Sequence, residues 1–311
     1  MRKSLTIFLV IVIVGLLITG TLLAKLIWFK PFSIEHFFER AYIEFLWEDP
    51  EALSQTGVLE PFWFSDYEAE LTDVSPTATK RLAEVGSQNL NLLYKYDREK
   101  LSAENQVSYD VFEWFLKTGV EGEPFLFHDY PVTHISGPHI DLPRFMRSQP
   151  LETKANIENY LARLGLVDEK FGSLIDGLEE RRKLGVVAPT FILNKAIKYC
   201  NSMVSDSGAY ASFYVPFEKR VSGISLLNPK AKQQYLDECL KQLNKSVIPS
   251  YKRLEGYLLQ LERNSLAIAG VWQLPQGDEY YRYCLKQNAG VNNSPSELYD
   301  IAKMEMSRLK G

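Results

Sequence analysis

Hydrophobic positions along this chain follow two different patterns. Near the N-terminus, the stretch SLTIFLVIVIVGLLITGTLLA runs from residue 4 to residue 24 without a charged side chain. Beyond it, apolar residues recur every three or four positions, which is typical of amphipathic helices. A helix as long as the first stretch rises about 30 Å, enough to cross the hydrocarbon layer of a bilayer. The two patterns predict a membrane segment followed by a helical body.

The apolar run is better explained as an uncleaved, single-pass transmembrane signal anchor, residues 1–30, than as a cleaved leader. A signal peptide usually has a shorter apolar stretch and small residues at its cleavage site, whereas here Leu22 would occupy the minus-three position. Trp28 and Phe29 follow the run and are typical of an interfacial belt. Because the segment ahead of the run is very short, we expect the body, residues 31–311, to lie outside the cytoplasm.

Helix start signals recur through the body. Proline in the first helical position after an N-cap residue satisfies or removes backbone N–H groups that have no intrahelical acceptor. Such pairs are Asp49-Pro50, Ser75-Pro76, Asn228-Pro229 and Ser294-Pro295. Glu297 stands three residues after Ser294, so this last pair also predicts a capping box.

Apolar side chains behind these signals fall at helical spacing. The groups expected to face a core are Leu82, Val85, Leu92 and Tyr96; Val107, Val111, Trp114 and Phe115; Ile157, Tyr160, Leu161 and Leu164; Phe171, Leu174, Ile175 and Leu178; Leu236, Cys239, Leu240 and Leu243; and Leu254, Tyr257, Leu258 and Leu261. Only Pro124–Val132 is typical of extended chain. The sequence predicts an all-α fold, an irregular multi-helix bundle of about ten helices behind one transmembrane helix, with residues 31–311 as one helical domain.

Gly, Pro, Ser and Asn cluster at residues 119–150 and 205–228, where the periodicity fades. Both stretches are predicted loops, and long loops in a compact domain are often functional. The first contains His128, His134, His139, Asp129 and Asp141. These side chains could bind zinc, act as acid and base, or touch a substrate. The three histidines are six and five residues apart, which matches no metal-ligand pattern. This spacing favours the alternative that the histidines form hydrogen bonds with the backbone of their own loop.

Charge argues against nucleic acid as a partner. The chain has 35 Lys and Arg residues against 39 Asp and Glu residues, and the first thirty residues hold four bases and no acid. The body therefore carries a net charge of −8, whereas binding to nucleic acid needs cations that displace counterions. Cys200, Cys239 and Cys284 match no zinc or redox spacing, so we interpret them as structural thiols, with one disulfide possible in an exported body.

No catalytic signature is present in the sequence. It lacks the HExxH, GxSxG, GxxxxGK(S/T) and GxGxxG motifs that mark zinc peptidases, serine hydrolases and phosphate-binding loops. We therefore assign no catalytic residue and no metal ligand to this chain. The aromatic cluster that includes Tyr280 and Tyr281 could line a cleft, although aromatic side chains more often fill a core.

Five stretches of the chain resemble the N-terminal half of the bacterial domain-of-unknown-function 885 family. They are YDREKLSAENQVSYDVFEWFL (96–116), YPVTHISGPHIDLPRFM (130–146), ENYLARLGLV (158–167), GVVAPTFIL (185–193) and GVWQLPQGDEYYRYCLK (270–286). The resemblance implies a relation to zincin-type metallopeptidases. In that family the zinc-binding histidines and catalytic glutamate lie in a C-terminal half, which we expect to be missing here, so zinc is implied for that half alone and no cofactor for this chain.

The resemblance implies a membrane-anchored, non-catalytic region that forms one wall of a substrate cleft and is inactive alone or paired with a separate catalytic half. The expected partners are the membrane and a catalytic chain or peptide substrate. The residues expected at the cleft are His134, His139, Arg144, Tyr280 and Tyr281. The last helix, 295–310, has an apolar stripe that needs a partner. The alternative is a non-enzymatic anchored binding or scaffold protein.

Overall fold

The computed structural model describes residues 12–15, 17, 19–21, 25, 29–59, 65–205, 207–267 and 270–310. Most of the predicted anchor, including Trp28, lies outside these residues, so the anchor stays a prediction. Among the helices of the described part, none has both the length and the apolar character needed to cross a bilayer.

The described part of the body is helical and contains no strand, which confirms the all-α, multi-helix prediction. Its α-helices are α1 (Ile34–Trp47), α2 (Pro50–Thr56), α3 (Pro76–Leu93), α4 (Ala103–Glu121), α5 (Pro138–Ser148), α6 (Lys154–Lys183), α7 (Thr190–Val204), α8 (Val215–Ser222), α9 (Pro229–Gln242), α10 (Ile248–Glu262), α11 (Gly277–Ala289) and α12 (Pro295–Lys310). Turns of 3-10 helix lie at Asp66–Ala69, Arg98–Lys100, Glu123–Phe125 and Val271–Gln273, and π-helical turns at Tyr210–Tyr214 and Leu243–Val247.

All four predicted helix starts are confirmed by the hydrogen bonds that they make. The Asp49 carboxylate accepts from the Ala52 amide at 3.0 Å, and Ser75 and Asn228 cap α3 and α9 in the same way. At α12 the Glu297 amide donates to the Ser294 hydroxyl at 3.3 Å while the Ser294 amide donates to the Glu297 carboxylate at 2.7 Å. These caps depend on residues three apart, which is why the local sequence predicts them.

Three local predictions were wrong. Pro124–Val132 is not extended, because its start forms the 3-10 turn Glu123–Phe125. The predicted loop at 119–150 contains α5, and the one at 205–228 contains a π-helical turn and α8. Proline explains the errors at the two predicted loops, since Pro138 and Pro216 occupy first-turn positions of a helix, where no backbone N–H is needed.

The chain divides into two compact units: unit 1 (Met1–Trp47 and Leu82–Val120) and unit 2 (Glu48–Arg81 and Glu121–Gly311). The core of unit 2 surrounds the 30-residue helix α6, against which α10 packs. Phe171 of α6 meets Tyr251 of α10 edge to face, with ring centroids 4.9 Å apart, and both side chains are fully buried. Cys200 and Cys239 lie in this core, where burial raises the pKa of each thiol to about 12. Cys284 is half-buried, and all three are free thiols.

Two buried cations fix the start of unit 2 against α6. Arg163 is only 2% exposed and donates to the backbone oxygens of Glu70 and Tyr67. Its guanidinium also donates to the Ser54 hydroxyl and to the Gln149 amide oxygen. Two helical turns further along the same face, Lys170 pairs with Glu51 at 2.5 Å and donates to the Thr72 backbone oxygen at 3.0 Å. A buried charge is tolerated only when it is paired in this way.

In unit 1, helix α4 turns a different face to the core from the one that the sequence predicts. Tyr109 and Leu116 are buried against α1 and α3 residues, and Phe112 packs on them. The predicted core group is exposed: Val107 63%, Val111 63%, Trp114 43% and Phe115 52%. Helix α4 is apolar on two sides, and spacing alone does not tell which side meets the rest of a unit.

Candidate functional site

The three histidines of the predicted loop do not converge. The His128 ring nitrogen Nε2 lies 2.9 Å from the Pro275 backbone oxygen. His134 is exposed, with its ring 6.4 Å from that of Phe191, whereas His139 is fully buried. No group of three or more His, Cys, Asp or Glu side chains in the described residues is placed to hold a metal ion. The residues present here therefore do not fit a zinc centre.

His139 belongs to the core of unit 2. It lies in the first turn of α5, its ring is edge-on to Tyr199 at 5.6 Å, and the Tyr251 hydroxyl donates to its backbone oxygen at 2.6 Å. Within the described chain, neither of its ring nitrogens has a hydrogen-bond partner of good geometry. Burial lowers the pKa of this imidazole to about 4, with the Thr133 backbone and Asp141 acting in the opposite direction. The side chain is therefore kept neutral and out of contact with solvent.

Arg144 lies on the outer face of α5. It is close to His139 in sequence, but its side chain is exposed whereas that of His139 is buried. Its guanidinium is 3.4 Å from the Asp141 carboxylate, and the two side chains are 62% and 53% exposed. An exposed pair of this kind contributes little to stability. Arg144 and His134 are thus exposed surface groups.

The structure does join the predicted loop to the Gly270–Lys286 block, through an aromatic cluster. His128 and Tyr280 have ring centroids 5.2 Å apart, Phe125 lies 5.6 Å from Tyr280, and Tyr283 stacks on Phe125 at 5.5 Å with an angle of 28° between the rings. Burial, followed by the nearby Cys284 thiol, raises the pKa of Tyr280. Tyr281, one position along α11, instead turns outward and is 41% exposed. We call Phe125, His128, Tyr280 and Tyr283 the aromatic wall.

A tight turn sets where α11 begins, and so places the aromatic wall. Gln276 has a φ of 53°, in the left-handed region, and Gly277 follows it as the first helical residue. Gly277 is buried, and a Cβ added to it would lie 2.1 Å from the Val271 backbone oxygen. Only glycine allows this approach, which gives a physical reason for the glycine in the Gly-Val-Trp-x-Leu-Pro-x-Gly stretch.

A groove of about 460 Å³ lies beside the aromatic wall, where α11 ends and α12 begins. It is lined by Glu121, Arg282, Tyr283, Lys286, Val291, Asn292, Asn293, Ser294 and Glu297. Tyr283 belongs to both the wall and the groove, and its hydroxyl sits directly over Gly122: a Cβ at that position would be 2.1 Å from the oxygen. Lys286 pairs with Glu121 across the groove.

Sequence reasoning missed this groove. Tyr280 and Tyr283 are three residues apart, a helical spacing that could have grouped them. The pairing of Lys286 with Glu121, however, joins residues 165 positions apart, and no local pattern reports such a contact.

These features define the class of protein: an all-helical fold with an aromatic wall and, beside it, a polar groove where α11 ends and α12 begins. More narrowly, the chain belongs to the family described as "Bacterial protein of unknown function (DUF885)", whose pattern matches residues 50–311. This confirms the family resemblance.

Among solved structures, the chain is similar to the crystal structure of a candidate lipoprotein from Colwellia psychrerythraea, with a TM-score of 0.76 and 21% sequence identity. The match covers 88% of this chain and 49% of that one, so the chain spans about half the length of the structure that it matches. At this identity the likeness shows a shared fold. No curated protein matches the chain in sequence.

Proposed function

We propose that this protein is a membrane-anchored, non-catalytic region of a metallopeptidase-like protein, which forms one wall of a peptide-binding cleft and is completed by a catalytic half. In this proposal the zinc and the hydrolytic groups belong to the catalytic half, because the histidines described here lie apart. The catalytic half is either further chain or a separate polypeptide. The aromatic wall and the groove beside it are the part of this chain that would face a peptide.

The observation that carries the proposal is the exposure of α12. None of its sixteen residues is buried. Large apolar side chains are left in solvent: Tyr299 68%, Ile301 44%, Met304 63%, Met306 56% and Leu309 75%. Most helical stability in proteins comes from packing an apolar face, so a helix of this composition is suited to a protein partner.

Chain length supports the identity of that partner. The Colwellia structure contains about as much chain again as the part that this protein matches. A second half of similar size is large enough to cover α12. The Colwellia protein is described as a candidate lipoprotein. That description is in line with a body held outside the cytoplasm by a membrane attachment, as the apolar N-terminal run of this chain predicts.

The test is to purify the full chain in detergent from its native membrane and to search for a zinc-dependent partner. We expect a co-purifying polypeptide that carries an HExxH-type motif, together with peptidase activity that a chelator abolishes. Ile301→Asp, which puts a charge in the apolar stripe, should remove both. Ser307→Asp adds the same charge about 120° around α12 from Ile301, on the polar side with Asp300 and Lys303, and should retain both.

Two outcomes would overturn the proposal. One is wild-type chain that is monomeric and free of peptidase activity at its native abundance. The other is a complex that survives Ile301→Asp as well as it survives Ser307→Asp.

A non-enzymatic anchored binding or scaffold protein remains the second candidate, and the groove is the observation that favours it. A groove with free polar groups needs no catalytic half in order to hold a ligand. Binding of a peptide by the isolated full chain, with no zinc-dependent partner in the native membrane, would support this candidate over the first.

A further inference from the structure

We infer that the groove between α11 and α12 binds a peptide segment that presents a free carboxylate, and that Arg282 is the residue that recognises it. The inference rests on the proposed function in one respect, that the ligand is a peptide. The preference for a carboxylate is argued from the groove residues alone. Its volume of about 460 Å³ lies within the range of pockets that bind small ligands.

Several groups that line the groove are already occupied. Lys286 is paired with Glu121. The Glu297 carboxylate accepts from the Ser294 amide at 2.7 Å and from its hydroxyl at 3.0 Å, and these bonds lower the pKa of Glu297. The first turn of α12 therefore already holds an anion of its own chain, and the site does not depend on that helix end.

Other groups of the groove are free. In the described part of the chain, the Arg282 guanidinium makes no hydrogen bond or ion pair, although Asp278 and Glu279 lie one turn before it on α11. The side-chain amides of Asn292 and Asn293 also have no partner among the described residues. Free donors and acceptors thus line one groove from two sides, α11 and the loop that follows it.

The unpaired cation decides which ligand fits. A guanidinium presents five N–H donors in a planar fork that matches a carboxylate with two parallel hydrogen bonds. Asparagine amides offer both a donor and an acceptor, which suits the N–H and C=O groups of a peptide backbone. Lys286 neutralises Glu121, so Glu297 leaves the remainder of the groove with one net negative charge. One carboxylate at Arg282, with neutral amide groups beyond it, is therefore the complementary pattern.

The neighbourhood of Arg282 is rigid enough to give such recognition. Tyr283, the next residue on α11, is fixed between Phe125 and the Gly122 backbone. Its hydroxyl makes no hydrogen bond within the described residues, and its side chain lines the groove. A preformed wall reduces the entropy that is lost when a flexible peptide binds.

The experiment uses full-length protein in detergent and three peptides, with binding followed by calorimetry. The probes are N-acetyl-Ala-Ala-Ala with a free C-terminus, the same peptide as its C-terminal amide, and N-acetyl-Ala-Glu-Ala-amide. We expect the free-acid peptide to bind at least about tenfold more tightly than its amide. Tighter binding of the glutamate peptide than of the neutral amide would identify a side-chain carboxylate as the source, and equal binding of those two would identify a chain terminus.

Arg282→Met should abolish the preference for the free acid. Arg263→Met removes a guanidinium from an exposed position at the end of α10 and should leave the preference unchanged. Equal affinities of all three peptides for wild type, a carboxylate preference that is unchanged in Arg282→Met, or no binding of any probe up to about 10 mM would overturn the inference. None of these assays contains a catalytic partner, so their failure is distinguishable from a failure to find the zinc-dependent chain.

Discussion

At the scale of single residues, His139 gives the fold a sensitivity to acid. An unfolded histidine has a pKa near 6.5, whereas burial lowers the pKa of His139 to about 4. Between these values the unfolded chain binds more protons, so the free energy of unfolding rises with pH. The part of the folding stability that depends on a neutral His139 is fully present above pH 6.5 and is lost as the pH falls through about 4. Its size is on the order of 3 kcal/mol.

We therefore predict that His139→Leu flattens the dependence of the free energy of unfolding on pH between about 5 and 6.5, a range in which most carboxylates are already ionised. Urea unfolding at a series of pH values measures the slope. His134→Ala, at an exposed position of the same segment, should leave the slope of wild type. Equal slopes in all three proteins would contradict a lowered pKa for His139 in the folded state.

Gly122 is the second residue with a sharp consequence. Gly122→Ala places a methyl group where the Tyr283 hydroxyl lies, and the stacking of Tyr283 on Phe125 limits its retreat. We expect a loss of about 1–3 kcal/mol in the free energy of unfolding, as for other overpacked sites. Gly119→Ala is the matched control, because a Cβ there meets nothing within 4 Å and alanine favours a helix by up to about 1 kcal/mol. Losses of the same size at both positions would contradict this account of the contact.

At the scale of elements, the sequence predicts where helices begin better than it predicts which face they bury. The starts at Asp49, Ser75, Asn228 and Ser294 were predictable because each cap is closed within three residues. The face of α4 was not, because the helix is apolar on two sides and the choice depends on distant chain. The candidate site divides in the same way. The sequence groups the aromatic residues around Tyr280 by their helical spacing, and their role at a cleft stays a prediction, whereas the groove depends on a loop and on Glu121, far away in sequence.

The face that α4 buries in the structure leads to a further prediction. Trp114 is 43% exposed and Leu116 only 2%, so Trp114→Ala should change the free energy of unfolding by less than about 1 kcal/mol. Leu116→Ala should cost about 2–5 kcal/mol, the usual range for a buried leucine. Chemical denaturation of both variants makes the comparison. A larger loss of unfolding free energy for Trp114→Ala than for Leu116→Ala would favour the face that the sequence pattern predicted over the face that the structure buries.

At the scale of the whole molecule, protection against hydrogen exchange should differ strongly between helices. Opening free energies follow buried apolar contacts, so amides of α6 and α10 should exchange most slowly and those of α12, which has no buried residue, among the fastest. Exchange followed by mass spectrometry on purified full-length protein tests this. Protection of α12 equal to that of α6 would mean that its apolar residues are covered in solution, and addition of the proposed catalytic partner should produce the same change.

The two buried cations of α6 also set the order in which the body can be completed during synthesis. Glu51 precedes Lys170 by 119 residues, and Ser54 precedes Arg163 by 109. At ribosomal speeds of about 5–20 residues per second, roughly 6–24 s separate the emergence of Glu51 from that of Lys170. During that interval residues 82–120 leave the ribosome and can finish unit 1, while the start of unit 2 waits as nascent chain exposed to proteases and chaperones.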